Sequence, residues 1–467
     1  MTSMKKNYLI LHTILLIMVC QIGLAQSSAK KPNFIIIFTD DQGYGDLGCF
    51  GHPTIKTPNL DKMATEGQRW TNFYVAANVC TPSRAGLMTG RLPVRNGMES
   101  DIRRVLFPDS DGGLPNEEIT IAEQLKKVNY TTACVGKWHL GHLEKYLPTN
   151  NGFDSYFGIP YSNDMDREKG FNREMFFSPQ IKDYNVPLMR NTDIIQRPAD
   201  QNTITKRYTE ESLKFIKANK SKPFFLYLAH SMPHIPLFAS TDFLGKSERG
   251  LYGDAIEEID WSVGQIISML KNEGLDKNTY VIFASDNGPW KIFNQHGGSA
   301  GLLFGGKGTS YEGGMRVPSL VWGPGHVKPG MVSKMGSTLD LLPTLSKLAG
   351  VALPADRQLD GYDLSDVWKG KEETPRNEMF FYHATKLFAA RKGSYKMYFL
   401  KNNPDGYPEK IETLEKAQLF NLSVDPSERF DIADKNPEII EEISKMVAKH
   451  KEGLIKVPNN LEKFITN

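Results

Sequence analysis

Asn33-Phe34-Ile35-Ile36-Ile37-Phe38-Thr39-Asp40-Asp41 decides the fold class. The run from Asn33 to Phe38 is apolar without alternation, and a short continuous run of this kind reads as a strand buried on both faces. It ends abruptly in two carboxylates and the loop Gln42-Gly43-Tyr44-Gly45-Asp46. Three further strands are expected at Thr131 to Val135, Pro223 to Leu228 and Tyr280 to Phe283. Helices are expected between them. Thr57-Pro58 opens one that closes at Gly67, and Ile119 to Lys127 forms another. Gly253 to Leu270 places Ile256, Ile259, Val263, Ile266, Ile267 and Leu270 on one face. Strands alternating with helices predict an α/β fold: a large parallel or mixed sheet flanked by helices.

Each of the four strands runs out into ionisable or metal-binding residues. They are Asp40-Asp41, then Gly136-Lys137-Trp138-His139, then His230 and His234, then Asp286-Asn287-Gly288. Sheets of this kind bind ligands beyond the carboxyl ends of their strands. Four such endings place an active site there. Asp40, Asp41, Asp286 and Asn287 offer mainly oxygen, which suits a hard cation, calcium or magnesium, rather than zinc. Either pair alone reads equally well as a cap or turn. Lys137, Lys307 and Arg84 offer fixed positive charge, and His139 and His234 offer acid–base capacity. Taken singly, a lysine or histidine is more often surface or satisfied core.

A second run is Cys80-Thr81-Pro82-Ser83-Arg84-Ala85-Gly86-Leu87-Met88-Thr89-Gly90-Arg91. Thr81-Pro82 reads as a helix start with proline at the first helical position, and Ser83 to Thr89 continues it. Cys80 then lies where unpaired N–H groups and the positive dipole end favour an anion. By itself it reads equally as a small buried hydrophobe.

The 467 residues are enough for two or three domains, 40% of them are hydrophobic, and the formal net charge is +2. That charge argues for neither nucleic acid nor an anionic surface. Lys5 and Lys6 precede an apolar stretch from Leu9 to Val19, and Gly23-Leu24-Ala25 resembles a cleavage site. Residues 1–25 therefore read as a signal peptide, too short to span a bilayer, and the destination as periplasmic or secreted, with no membrane span later in the chain. Removing Cys20 leaves Cys49, Cys80 and Cys134, an odd count that marks a leftover reactive thiol, with a Cys49–Cys134 bridge left open. Tyr161 to Arg207 reads as long loops. Beyond the polar linker Lys371 to Pro375, strand-like stretches at Met379 to Tyr382, Leu387 to Ala390, Tyr395 to Leu400 and Leu419 to Leu422 precede a helix at Glu438 to His450. The expected organisation is a catalytic domain over 26–372 and a smaller α+β domain of antiparallel sheet and helix over 373–467.

The quoted motifs, with Gly306-Lys307-Gly308, resemble those of the formylglycine-dependent (type I) sulfatases in order and rough spacing. The likeness runs from Asn33 through Asp425-Pro426-Ser427-Glu428. It implies an alkaline-phosphatase-like sheet and a sulfuric ester hydrolase that works through a formylglycine–sulfate covalent intermediate. Cys80 would be oxidised to formylglycine by a sulfatase-maturing enzyme, and its hydrate would attack sulfur. One Ca2+ would be held by Asp40, Asp41, Asp286, Asn287 and residue 80. Asp286 would take the attacking hydroxyl's proton, Arg84 would orient the diol, and Lys137, Ser162 and Lys307 would bind sulfate. His234, with Lys307, would protonate the leaving oxygen, and His139 would deprotonate the second hydroxyl.

Two other readings are carried. One is a phosphatase or phosphodiesterase of the same superfamily, which would use Ser or Thr with two zinc ions. The other is a catalytically silent glycan-binding relative. The substrate expected is a sulfated oligo- or polysaccharide. Asp101, Arg103, Arg104, Asp164, Asp166, Trp290 and His296, all in expected loops, are candidate contacts.

Overall fold

β1 (Asn33–Thr39) lies near the middle of a ten-stranded sheet in the computed structural model, which describes residues 30–455 and 457–465. The expected signal segment, residues 1–25, falls outside the described residues. The other strands are β2 (Gln68–Tyr74), β3 (Thr131–Gly136), β4 (Ser155–Gly158), β5 (Leu188–Arg190), β6 (Asp193–Gln196), β7 (Phe224–Ala229), β8 (Thr279–Ser285), β9 (Arg316–Trp322) and β10 (Gly330–Ser337). Their order is β10-β2-β9-β8-β1-β7-β3-β4-β5-β6. β8, β1, β7, β3 and β4 are mutually parallel, and β9 joins β8 antiparallel, so the sheet is mixed.

Every residue of β1, β7 and β8 is buried, which explains their unbroken apolar runs. Phe34, Ile36 and Phe38 point into one core, while Ile35 and Ile37 point into the other. α1 (Pro58–Glu66), α4 (Ile204–Ala218) and α5 (Leu251–Asn272) cover the second face. α5 buries Ile256, Ile259, Val263, Ile266 and Leu270 along one stripe. Each such side chain contributes roughly 1.5–3 kcal/mol relative to exposure. α2 (Cys80–Thr89), α3 (Ile121–Lys126) and α6 (Leu341–Ala349) pack on the first face.

Strand register positions the rim of the sheet. Thr39 pairs with Ser285, Phe38 with Ala229, and Gly136 with Ala229. The carboxyl ends of four adjacent strands therefore finish within a residue of one another, and the residue after each leaves the sheet at one rim. Gly136 makes this alignment possible. Its φ is +118°, and a Cβ there would lie 1.8 Å from the Ala229 carbonyl oxygen.

The C-terminal strands β11 (Glu378–His383), β12 (Lys386–Lys392), β13 (Tyr395–Asn402) and β14 (Ile411–Asn421) form a second, antiparallel sheet in that order, with α7 (Pro437–Glu452) against it. Lys396 of β13 is wholly buried and binds Glu312 at 2.8 Å, Glu428 at 3.1 Å and the Ser310 carbonyl at 2.9 Å. Tyr398 donates to the same Ser310 carbonyl at 3.2 Å, and the Ser310 N–H donates to Asn402 at 3.0 Å. The second sheet thus clamps the loop that carries Lys307.

Several elements differ from expectation. Tyr161 to Arg207 is not all loop: it adds β5 and β6 to the sheet edge, and α4 begins at Ile204. β2, β9 and β10 had no clear apolar signal. Pro318 interrupts β9 where its register with β2 shifts, and β10 is an exposed edge. α2 starts at Cys80 with Val79 as its cap, so Pro82 is the third helical residue rather than the first. Cys49, Cys80 and Cys134 are all free, so the bridge left open is not formed. No helix among the described residues is long and apolar enough to cross a membrane.

Lys396→Met should lower unfolding free energy by about 3–5 kcal/mol, because it removes the ammonium that the buried carboxylates of Glu312 and Glu428 share, leaving Glu312 with Arg316 at 3.5 Å. Urea unfolding read by near-ultraviolet dichroism checks this. A loss below about 1 kcal/mol would show that the clamp contributes little.

Candidate active site

The rim of the four strand ends brings together the residues singled out in the sequence. Asp40 and Asp41 follow β1, Lys137 and His139 follow β3, His234 follows β7, and Asp286 and Asn287 follow β8. Cys80 enters from the first residue of α2 and Lys307 from the clamped loop. All are buried.

Asp40 takes the Lys137 ammonium on one oxygen, while Cys80 Sγ lies 3.3 Å and Arg84 Nη2 3.6 Å from the other. Lys307 Nζ reaches the Asp41 carboxylate at 2.8 Å, and Asn287 Nδ2 donates to it at 2.7 Å. Asp41 is left-handed, with φ of 62°, and its N–H donates to Asp286 Oδ1 at 3.1 Å. Arg84 grips Asp286 Oδ2 through Nε at 3.1 Å and Nη2 at 2.8 Å, and donates to the Lys137 carbonyl at 3.0 Å. Arg84 therefore holds carboxylates rather than facing the cavity. Lys137 also donates to Ser162 Oγ at 3.0 Å.

Burial and charge set the protonation states. Burial raises the Asp40 pKa, but Lys137, Arg84 and Lys307 overcome it and hold the carboxyl well below its ordinary range. Asp41 is pushed up to about 7, by burial first, with Asp40 and Asp286 adding to it. Burial raises the Cys80 thiol, as do Asp286 and Asp40, so the unmodified sulfur is a poor nucleophile. Burial and Lys307 lower His234 to about 3. Burial and Lys137 hold His139 well below its usual value. His139 Nε2 contacts the Leu106 carbonyl at 2.9 Å, which fixes the proton there and leaves buried Nδ1 without a partner.

The donor set is compatible with a divalent metal ion. Asp40, Asp41, Cys80 and His234 each present a ligand atom within 4.8 Å of the others. Asn287 Oδ1 beside them is buried and unpartnered, which suits a bound cation. His234 was expected as an acid rather than a neighbour of the ligands, yet its Nε2 is 3.5 Å from Asp41 Oδ2. An ion here would compete with Lys137 and Lys307 for the same carboxylate oxygens and so release ammonium groups for an anion.

Above the cluster opens a cavity of about 390 Å3, lined by Cys80, His139, Ser162, His234 and Lys307. Arg103, Arg104, Asp164 and Trp290 line it as expected. Asp101, Asp166 and His296 do not. Asp101 accepts from Thr385, Asp166 pairs with Arg197, and His296 packs on Phe177. Tyr407, from the loop between β13 and β14, lines the cavity and was not among the expected contacts. It lies in a polar stretch, and only tertiary packing brings it here.

The chain is similar to known proteins in sequence and in fold. Residues 32–351 match the family model described as sulfatase, and residues 374–467 match the C-terminal region of aryl-sulfatase. Human arylsulfatase A is 40% identical over 450 residues, covering 90% of this chain and 87% of that protein. Mouse N-acetylgalactosamine-6-sulfatase is 38% identical over 483 residues, covering 94% and 90%. The crystal structure of the PsFucS1 sulfatase from Pseudoalteromonas sp. superposes with a TM-score of 0.82 at 28% identity, covering 94% of this chain and 93% of that one.

Calcium at about a hundredfold excess over its Kd should stabilise the protein by about 2.7 kcal/mol, and Asn287→Ala should remove most of that gain. Differential scanning fluorimetry with and without chelator reads it. An equal calcium shift in both proteins would place the ion elsewhere.

Proposed function

The chain belongs to the sulfatase family and is a sulfuric ester hydrolase; from that premise we propose that it is exported and cleaves sulfate esters of a sulfated carbohydrate through an oxidised Cys80. The observation that carries this reading is the position of Cys80. It begins a ten-residue helix, its sulfur lies 3.5 Å from Lys307 Nζ, and it opens onto a cavity lined by basic and aromatic side chains. Positive charge and helix N-terminal N–H groups together favour a sulfate beside residue 80. The sulfated amino sugar in the name of one relative supports a carbohydrate substrate.

Oxidised to formylglycine and hydrated, residue 80 would supply a geminal diol, one hydroxyl to attack sulfur and the other to let sulfate leave. Asp40, Asp41, Asp286 and Asn287, with residue 80, would hold one calcium ion, whose charge would polarise the sulfate and the attacking oxygen.

The chain's own groups do the rest. Lys137 and Lys307, with Ser162, hold sulfate oxygens and offset charge as it develops. Arg84 fixes Asp286 beside the Asp41 N–H, so that Asp286 can receive the proton of the attacking hydroxyl. His139 Nδ1, bare and buried, takes the second hydroxyl's proton. His234 Nδ1 is tied to the Ile235 carbonyl, so any proton it gives comes from Nε2. In the free protein burial and Lys307 keep Nε2 deprotonated. A bound sulfate ester adds negative charge beside it and raises its affinity for a proton, which makes it the acid for the leaving sugar oxygen. A maturing enzyme is required to oxidise Cys80 during biosynthesis.

Protein co-produced with a formylglycine-generating enzyme should release sulfate from N-acetylgalactosamine 6-sulfate or another sulfated sugar, as ion chromatography would record. His234→Gln should lose about 10²–10⁴-fold in kcat on such sugars. The loss should be much smaller on 4-nitrophenyl sulfate, whose leaving phenolate needs little protonation. Equal losses on both would remove His234 from the acid role, and no sulfate release from any ester would refute the reading as a whole.

A further inference from the structure

Arg104 lines the cavity, and one of its guanidinium nitrogens, packed just behind the wall, has no acceptor. Its guanidinium stacks on Tyr407 at 4.2 Å, and Nη2 donates to Glu409 at 2.8 Å and to the Gly406 carbonyl at 3.2 Å. Nη1 is buried and has no partner. It lies against Gly308, where a Cβ would fall 2.9 Å from it, and Gly308 directly follows Lys307. The free N–H thus sits next to the loop that presents Lys307 to residue 80. The indole N–H of Trp290, on the same wall, is also buried and unpartnered. Trp290 lies 5.5 Å from Tyr407, and Lys307 Nζ stands 4.2 Å from its ring. Buried donors without acceptors are costly unless a ligand meets them.

The charge of the cavity points the same way. Among the described residues that line it are Arg103, Arg104, Arg167 and Lys307, against the single carboxylate Asp164. The carboxylates that pair with Arg103 and Arg104 are outside the lining: Asp109 is 62% exposed and Glu409 38%. A single sulfate ester brings one negative charge, and Lys307 already stands beside the reacting position. The lining cations left to meet a further anion are Arg103 and Arg104, whose carboxylate partners face solvent, whereas Arg167 is paired with Asp164 at 2.6 Å.

Arg104 is also held firmly, as a recognition residue should be. Glu409 accepts from His383 Nε2 at 2.8 Å, and His383, buried, meets the Asn78 side chain through Nδ1 at 3.1 Å. The C-terminal sheet therefore fixes the guanidinium from behind.

We infer that Arg104 recognises a second anionic group, a sulfate on the sugar that carries the cleaved ester or a carboxylate on the sugar joined to it. This deepens the sulfatase reading and rests on it.

Calorimetry on Cys80→Ala protein, which cannot turn over, tests the inference with three probes in calcium buffer. They are N-acetylgalactosamine 6-sulfate, N-acetylgalactosamine 4,6-disulfate, and N-acetylgalactosamine 6-sulfate carrying a glucuronosyl unit. At least one doubly charged probe should bind about 10- to 100-fold more tightly than the monosulfate. The probe that gains identifies the second group as sulfate or carboxylate. Adding Arg104→Gln should cut that preference to within about threefold, and Arg104→Lys should restore part of it, a graded readout that misfolding would not give. Equal affinities in the parent protein, equal losses on all three probes, or no binding of any probe would each overturn the inference. The sulfatase reading fails separately, if matured wild-type protein releases no sulfate.

Discussion

Three carboxylates share one buried rim, and the rest of the site is arranged around keeping them there. Asp40, Asp41 and Asp286 are each almost fully shielded from water. Burying one ionised carboxylate costs several kcal/mol unless cations and donors compensate. Lys137, Lys307 and Arg84 supply that compensation, each from a different part of the chain. Breaking any one pair leaves a charge with nowhere to go. This constraint ties strand register to chemistry: the ends of β1, β8 and β3 must align for the charges to meet, and Gly136 permits that alignment.

The same constraint gives the C-terminal sheet its part in the site. Lys307 comes from a loop, and loops hold side chains less firmly than strands do. Here the loop is fixed by Lys396, Tyr398 and Asn402, all from β13. Tyr407 and Glu409, just beyond β13, then reach the cavity wall and its arginine. The second sheet is thus continuous with the active site through both packing and polar contacts.

How far the sequence foretold this depends on locality. β1, β3, β7 and β8 are buried on both faces, so composition alone marks them, and the residues after them carry the metal-ligand and acid–base candidates. Cys80 was legible through its motif, although its helix begins two residues earlier than proline suggested, because Val79 supplies the cap. β2 and β10 were not legible, since β2 mixes polar with aromatic residues and β10 mixes glycine, polar and apolar residues with its first half mostly exposed. Arg84 was expected beside the nucleophile, but its grip on Asp286 depends on a residue 202 positions away. Tyr407, Glu409 and His383 had no local signature, because nothing in a polar turn declares which cavity it will close.

The central claim is that residue 80 is not a cysteine in the working enzyme. Mass spectrometry of the tryptic peptide Trp70 to Arg84, from protein made with a maturing enzyme, tests it directly. The account predicts a peptide in which oxygen has replaced the sulfur and two hydrogens, and which reacts with a hydrazide. An intact thiol at Cys80 under those conditions would contradict the covalent route and leave a sulfatase fold that binds its glycan without cleaving it.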